Sequence, residues 1–317
     1  MAQGLRAEPE RLATLFRVLK HRMLLGPLLI VALIGVIVGE EYLRSAGRSP
    51  GWLLIPTMLL IGAEAARELA KVFRARKIAT STRLLTLSVW SGLLASSFTP
   101  AELGSHSGAA IVSSAAAGVL LAAMIFYSRH HSAEGVVSAT AATLLAFVYV
   151  GLLGGFLVIF MKEFTGWVLL AVVLTTKSCD IGAYFTGTTI GRHKLIPWLS
   201  PGKTWEGLAG GLALAAAVGT VAAALSRSME APIQLELWEG ALLGALFGLV
   251  GQAGDLVASM LKRDAGMKDY SRALPGFGGV LDIADSPLLV APVAYWMFRL
   301  MATAAPGLTV QATMPSG

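Results

Sequence analysis

The feature that most limits what this chain can become is a series of nine apolar stretches, each close to the length a helix needs to cross a bilayer. They fall at 23–39, 51–66, 84–100, 109–127, 136–160, 165–179, 206–225, 238–258 and 286–303. A hydrocarbon core about 30 Å thick takes roughly 17–25 helical residues. The stretches are too long for barrel strands and show no strict alternation. Helices are therefore the spanning element, because their backbone groups pair internally. Composition agrees: 55% of residues are hydrophobic, 14% are charged, and mean hydropathy is +0.69. A soluble domain carries about 25% charged residues, so a soluble enzyme and a disordered chain are both excluded. The expected fold is an all-α, polytopic membrane bundle of about nine transmembrane helices. Its shortest span is 165–179, with Lys177 near its end.

Charge orients the bundle. With the N-terminus cytoplasmic, the inward segments (1–22, 67–83, 128–135, Lys177 with 180–205, and 259–285) hold 20 of the 25 Lys and Arg residues. Only Arg44, Arg48, Lys162, Arg227 and Arg299 fall outside. That asymmetry is what basic residues show on cytoplasmic loops, and it places the C-terminus outside. Residues 1–22 read as a cytoplasmic amphipathic lead-in, and the first stretch as an uncleaved anchor rather than a signal peptide. The expected location is an integral, multi-pass position in a membrane such as the bacterial inner membrane. The single cysteine, Cys179, excludes an intrachain disulfide framework and a Cys-based zinc site.

Polar residues divide the chain where no linker does. All six aspartates (Asp180, Asp255, Asp264, Asp269, Asp282 and Asp285) lie between 180 and 285. Residues 1–165 therefore read as an N-terminal transmembrane scaffold. Residues 166–317 read as the C-terminal catalytic region of the same membrane-embedded unit.

The densest polar segment is 251–286. Asp255 lies within or at the end of an apolar helix, where an ionised carboxylate costs roughly 2.5–3.5 kcal/mol or more. A divalent cation or a basic partner would offset that cost. Asp282 and Asp285, three apart, share a face if helical. Three converging carboxylates suit Mg²⁺ or a pair of cations, because hard cations take oxygen ligands. The plainer alternative pairs Asp255 with Lys262 or Arg263 and leaves Asp282 and Asp285 to cap the last span. Pro275-Gly276-Phe277-Gly278-Gly279 is a turn whose glycines let backbone N–H groups approach a phosphate. Lys262, Arg263 and Lys268 could neutralise phosphate oxygens, or serve topology alone.

A second segment runs from 177 to 207. Asp180 ends an apolar run. Arg192, Lys194 and Lys203 are candidate phosphate ligands. Ser200-Pro201-Gly202-Lys203-Thr204 reads as a phosphate-holding turn with Thr204 as a helix cap, though not as a Walker A loop. Its alternative is an ordinary loop with a capped helix. Elsewhere plainer readings hold. Glu64, Arg67 and Glu68 read as ion pairs at the end of the second span. Gly240, Gly244 and Gly248 form a packing stripe. His130, His131 and His193 read as loop residues, and Cys179 as a small buried hydrophobe.

At these two segments the chain resembles the phosphatidate cytidylyltransferase, or CDP-diacylglycerol synthase, family. That family's signature runs approximately S-x-x-K-R-x4-K-D-x5-P-G-H-G-G-x-x-D-R-x-D. Ser259, Lys262, Arg263, Lys268, Asp269, Pro275, Gly276, Gly278, Gly279, Asp282 and Asp285 match it in order and spacing. Gly254-Asp255-Leu256, Asp180, Ala183-Tyr184-Phe185, Gly187, Gly191-Arg192, Ser200-Pro201 and Lys203-Thr204-Trp205-Glu206-Gly207 match as well. The resemblance covers roughly 177–290. Two positions depart from it: Phe277 stands where the family has histidine, and Ile283 where it has arginine.

The resemblance implies transfer of CMP from CTP to phosphatidate, giving CDP-diacylglycerol and pyrophosphate with Mg²⁺, alone or with a second cation. It implies catalytic roles for Asp255, Lys262, Arg263, Lys268, Asp269, Asp282 and Asp285, with Asp255, Asp282 and Asp285 holding metal. Substrate binding would fall to Asp180, Arg192, Ser200, Lys203, Thr204, Ser259, Gly276, Gly278 and Gly279. The expected partners are CTP, phosphatidate and membrane lipid, with no nucleic acid, and a homodimer is compatible. A phenyl ring cannot donate to a phosphate and an isoleucine cannot pair with one. Two alternatives therefore stay open: another CTP-dependent lipid-phosphate enzyme such as a lipid kinase, and a catalytically impaired paralogue acting as a membrane binding protein. A transporter would show paired broken helices in two repeated halves; here the polar residues gather at one face.

Overall fold

The computed structural model describes residues 7–99, 106–129, 133–228, 233–271, 273, 274, 276 and 278–304. Within them a helix lies at each of the nine expected places. They are α1 (Ala7–Ser45), α2 (Leu54–Ala75), α3 (Thr82–Ser97), α4 (His106–Ser128), the continuous pair α5 (Val136–Ala146) and α6 (Leu153–Glu163), α7 (Gly166–Thr189), α8 (Trp205–Ser228), α9 (Leu237–Asp264) and α10 (Leu281–Ala304). A π-helical turn, Phe147–Leu152, joins α5 to α6. Six of these helical stretches are long and apolar enough to cross a membrane: Gly26–Ser45, Ser107–Ser128, Val136–Glu163, Gly166–Thr189, Trp205–Ser228 and Leu237–Asp264. Of the other three, α2 carries Glu64, Arg67, Glu68, Lys71 and Arg74, α3 has only 16 residues, and α10 holds Pro287, Pro292 and three charges.

Two expectations need correction. The sixth stretch runs on as helix to Thr189, so Asp180 sits inside α7 rather than at its end. And the protein is not purely helical. Lys194–Ile196 (β1) and Ser200–Thr204 (β2) form an antiparallel two-stranded hairpin, so Ser200-Pro201-Gly202-Lys203-Thr204 is a strand, not a turn. Thr204 does cap α8: its Oγ1 accepts the Gly207 N–H at 3.0 Å.

Small residues bring α7, α8 and α9 into backbone contact. A methyl group on Gly182 would meet the Gly210 carbonyl of α8 at 2.9 Å. The Gly240, Gly244 and Gly248 stripe of α9 lies on Gly219 and Ala215 of α8 and on Cys179 of α7, as its spacing predicts. With no hydrophobic drive between helices in lipid, such close packing supplies much of the association. Cys179 is fully buried in this seam.

Two buried glutamates tie distant segments to helix starts. Glu40 of α1 accepts the N–H groups of Gly51, Leu53 (2.8 Å) and Leu54 (3.1 Å), satisfying orphan donors at the start of α2. Glu68 of α2 does the same for α10. It accepts Val280 N–H and Leu281 N–H, each at 2.9 Å, and the Ser271 hydroxyl at 2.6 Å. Arg67 pairs with Glu64 at 3.0 Å, as expected, but Glu68 is no surface ion pair; it is wholly buried.

Candidate active site

Four helices and the hairpin enclose a cavity of about 430 Å³. Its wall includes Lys177, Asp180 and Tyr184 of α7, Ser200, Lys203 and Thr204 of β2, Gln252 and Asp255 of α9, and Asp282, Asp285 and Ser286 of α10. Asp180 and Asp255 each lie nine residues before the end of their helix, so both carboxylates are recessed by roughly 14 Å.

Three lysines face the four carboxylates of the cavity, one of them shared between two. Lys203 Nζ lies 2.7 Å from Asp255 Oδ2 and donates to Gln252 Oε1 at 2.8 Å. Gln252 in turn donates to Asp180 Oδ1 at 2.8 Å. Lys177 stands between Asp180 at 3.4 Å and Asp285 at 3.8 Å. Lys262 donates to Asp282 Oδ1 at 2.7 Å. The Lys262–Asp282 pair is the most buried, and removing one partner there would strand a charge; the other pairs are partly open, with Lys177 shared between Asp180 and Asp285.

Asp282 is the most heavily used of the four. Its Oδ2 accepts the Gly279 N–H at 2.8 Å and the Tyr270 N–H at 3.0 Å. It thereby pins the loop that precedes α10. Gly278 takes φ +95°, in the region that favours glycine, and a side chain there would press on Asp282. A side chain at Gly279 would collide with the Glu68 carboxylate. The two loop glycines are thus required by the two carboxylates they contact. Tyr270, buried beneath this loop, gives its hydroxyl to the Ala258 carbonyl at 3.2 Å, and burial pushes its phenol well above the ordinary range.

The donors bear on metal binding. All four carboxylates are oxygen donors, the kind a hard divalent cation takes. Asp255 and Asp285 line the same cavity, and like charges gathered in one wall call for cations nearby. Among the described residues no three His, Cys, Asp or Glu side chains stand together as a ready-made metal cluster. The lysines occupy that space instead. The donor set fits a divalent cation; its present pairing is with ammonium groups.

The other expected site residues lie away from the cavity wall. Arg263 is exposed, and its guanidinium donates to the Leu199 carbonyl at 3.4 Å and to the Met267 carbonyl at 3.1 Å, which fastens the hairpin to α9. Lys268 and Asp269 are exposed on the loop after α9, and Arg192 is exposed before β1. Ser259 is half-buried on the α9 face that carries Asp255 and Lys262. Gly276 adopts φ +88° in the loop beside Gly278. Pro275 and Phe277 lie outside the described residues, as do His130 and His131. His193 is exposed and pairs with Glu206 at 2.5 Å. Ile283 sits in the first turn of α10 between the two aspartates.

Sequence reasoning gave no site role to Lys177, Gln252 or Glu68. The first two had a legible signal. Lys177 is three residues from Asp180 and Gln252 three from Asp255, helical spacings that share a face. Glu68 had none, because its partners lie more than 200 residues away.

Comparison with known proteins places the chain by sequence. The family model described as "Cytidylyltransferase family" matches residues 21–301. A phosphatidate cytidylyltransferase of Mycobacterium bovis is 38% identical over 162 residues, half of each chain. Relatives of the same name are 44% identical over 126 residues in Pseudomonas aeruginosa (39% of this chain, 45% of that one) and 45% identical over 127 residues in Brucella suis (40% and 44%). The chain spans about half the length of the curated relatives it matches. With a family model covering nearly all of the helical bundle and the whole cavity, the chain belongs to the cytidylyltransferase family.

Proposed function

We propose that the protein transfers CMP from CTP to phosphatidate, giving CDP-diacylglycerol and pyrophosphate. The observation that carries the reading is the recessed cavity, in which Asp180, Asp255, Asp282 and Asp285 meet Lys177 and Lys203 at the end of an apolar bundle. Relatives named phosphatidate cytidylyltransferase support it. We further read the chain as nine spans with a cytoplasmic N-terminus, which turns the cavity toward cytosolic CTP. Residues 1–165 would act mainly as scaffold and 166–317 as the catalytic region.

The nucleophile is a phosphatidate oxygen that is already anionic, so no covalent enzyme intermediate is needed. It attacks the α-phosphorus of CTP. The bond from that phosphorus to the oxygen bridging the β-phosphorus breaks, and pyrophosphate leaves with the electron pair. The work of the site is to bring two polyanions together in line and to stabilise charge on the leaving group. Lys203 and Lys177, held by Asp255, Asp180 and Asp285, are mobile cations that turn to phosphate oxygens when substrate enters. Lys262 and Asp282 keep the preceding loop closed, with the Gly279 N–H held by Asp282 and the Gly278 N–H by the Leu274 carbonyl. Asp255 and Asp285, with Asp282 beside them, would hold Mg²⁺, which when bound supplies charge neutralisation and orientation to the nucleotide phosphates. The acyl chains stay in lipid while the headgroup reaches the cavity from the side, past Tyr184 and Leu208 of its wall.

The test uses purified protein in mixed micelles with phosphatidate, Mg²⁺ and CTP labelled at either the α- or the γ-phosphate. Label recovered in lipid from α-labelled CTP supports cytidylyl transfer. Label from γ-labelled CTP alone would make the protein a lipid kinase, and no label from either would leave the impaired paralogue.

A further inference from the structure

Gln252 of α9 lines the cavity among its charged groups, yet the transfer step gives it nothing to do. Its side chain is buried, while the two groups it joins, Lys203 and Asp180, are partly open. The amide is used at both ends: Oε1 accepts from Lys203 Nζ and Nε2 donates to Asp180 Oδ1, each at 2.8 Å. Turning it over would set an NH₂ against an ammonium and a carbonyl against a carboxylate, so the two charges fix its direction. The root of the side chain is fixed as well. A methyl group on Gly251 would meet the Thr176 side chain of α7 at 2.6 Å, and one on Gly254 the Asp285 carbonyl of α10 at 2.7 Å. Around Gln252, then, α9 is seated directly on both neighbouring helices.

Lys203 takes a defined pose from this arrangement. An ammonium has three N–H donors. One serves Asp255 Oδ2 at 2.7 Å and one serves Gln252 Oε1 at 2.8 Å. The third reaches only the Gln252 main-chain carbonyl, at 3.5 Å, which is long for a hydrogen bond. Two strong acceptors one helical turn apart on α9 thus hold the ammonium, and the weakly held N–H is the one that a phosphate oxygen takes with least loss. Lysine carries its charge on a flexible four-carbon stem, so with Asp255 as its sole strong acceptor Lys203 would swing over a wider range.

We infer that Gln252 is a positioning residue for Lys203: anchored on Asp180, its amide oxygen holds the ammonium beside Asp255 and leaves one N–H for a phosphate oxygen. The inference rests on the transfer reading of the site for its effect on turnover, but not for its effect on Lys203 itself. It also gives Asp180 a second task, because that carboxylate sets the direction of the amide.

The variant is Gln252→Met, which keeps an unbranched side chain of similar length and removes both polar ends. The first readout needs no turnover. Trace acetic anhydride labels lysine amines in the folded protein in micelles, and mass spectrometry follows Lys203 with Lys262 as the internal reference. Labelling of Lys203 should rise roughly tenfold, the weight of a hydrogen bond to a charged group, while Lys262 stays at the wild-type rate. The second readout is kcat/KM for CTP. It should fall roughly tenfold in Gln252→Met, yet the double variant with Lys203→Met should lie within about twofold of Lys203→Met alone, because two residues that act through one contact are not additive. Unchanged Lys203 labelling overturns the inference. So does full additivity with Lys203→Met, and so does a rise at Lys262 as well with a lowered melting temperature, which would make Gln252 a packing residue. Should Gln252→Met not fold, Gln252→Asn, still polar but one methylene too short to span Lys203 and Asp180, is expected to show the same selective rise. Failure of the transfer reading would show separately, as a wild type that carries no α-label into lipid, and the labelling of Lys203 would still decide the role of Gln252.

Discussion

Lys203 Nζ and Asp255 Oδ2 lie 2.7 Å apart and join the hairpin to α9 in the wall of the cavity. Each side chain is partly exposed, so the pair can open to a ligand. Lys203→Met should lower kcat/KM for CTP by about 100-fold, because a charge-assisted contact to phosphate is lost and Asp255 is left facing Asp285. The α-label assay reads this directly. A variant within threefold of wild type would remove Lys203 from nucleotide binding.

Asp282→Asn replaces an acceptor of three hydrogen bonds by a group whose NH₂ opposes two of them. Transfer should fall below detection while the protein still inserts and purifies as a single species. The loop should also loosen, at a cost of roughly 1–3 kcal/mol, seen as a lower melting temperature. Near-normal activity would sink the role given to this carboxylate.

Glu68→Ala tests a residue outside the cavity. It would leave the N–H groups of Val280 and Leu281 and the Ser271 hydroxyl without their acceptor. Unpaired buried donors cost about 1–3 kcal/mol each, so the melting temperature should drop markedly and activity with it. Gly279→Ala should give the same pair of defects, since its new methyl group collides with the same carboxylate. A stable, active Glu68→Ala protein would show that the loop is held by other means.

Chelation of divalent cations should abolish α-label transfer, and added Mg²⁺ should restore it. The melting temperature should change little on chelation, because each carboxylate already has a lysine within 4 Å. Full activity in the presence of excess chelator would falsify the metal proposal.

Much of the architecture was legible because lipid imposes a simple rule: apolar runs of the right length become helices. The rule failed where a helix lines a polar cavity. α7 continues through Asp180 and Tyr184 to Thr189, but its polar face lowers hydropathy, so the last ten residues read as loop. The hairpin was hidden because strands of three and five residues leave no periodicity to read. The π-turn was hidden because Phe147–Leu152 is as apolar as its flanks. At the site, Asp255, Asp282 and Asp285 were legible from residue type and spacing, and Asp180, Ser200, Lys203 and Thr204 with the help of the family resemblance; all line one cavity. Glu68 reads from its spacing as part of an ion-pair group with Glu64 and Arg67, since nothing local distinguishes a carboxylate that will cap a helix across the bundle.

That same glutamate bears on how the molecule is made. The N–H groups it accepts lie 212 and 213 residues further along the chain. At about 5–20 residues per second, they leave the ribosome on the order of ten seconds or more after Glu68 does. Until then the carboxylate has no donors to make its burial tolerable, and the growing bundle has reason to stay open around α2. α10 brings Asp282, Asp285 and Ser286 to the cavity wall, so a nascent chain stalled before it holds the rest of the wall but lacks two of the four carboxylates and the donors that Glu68 caps.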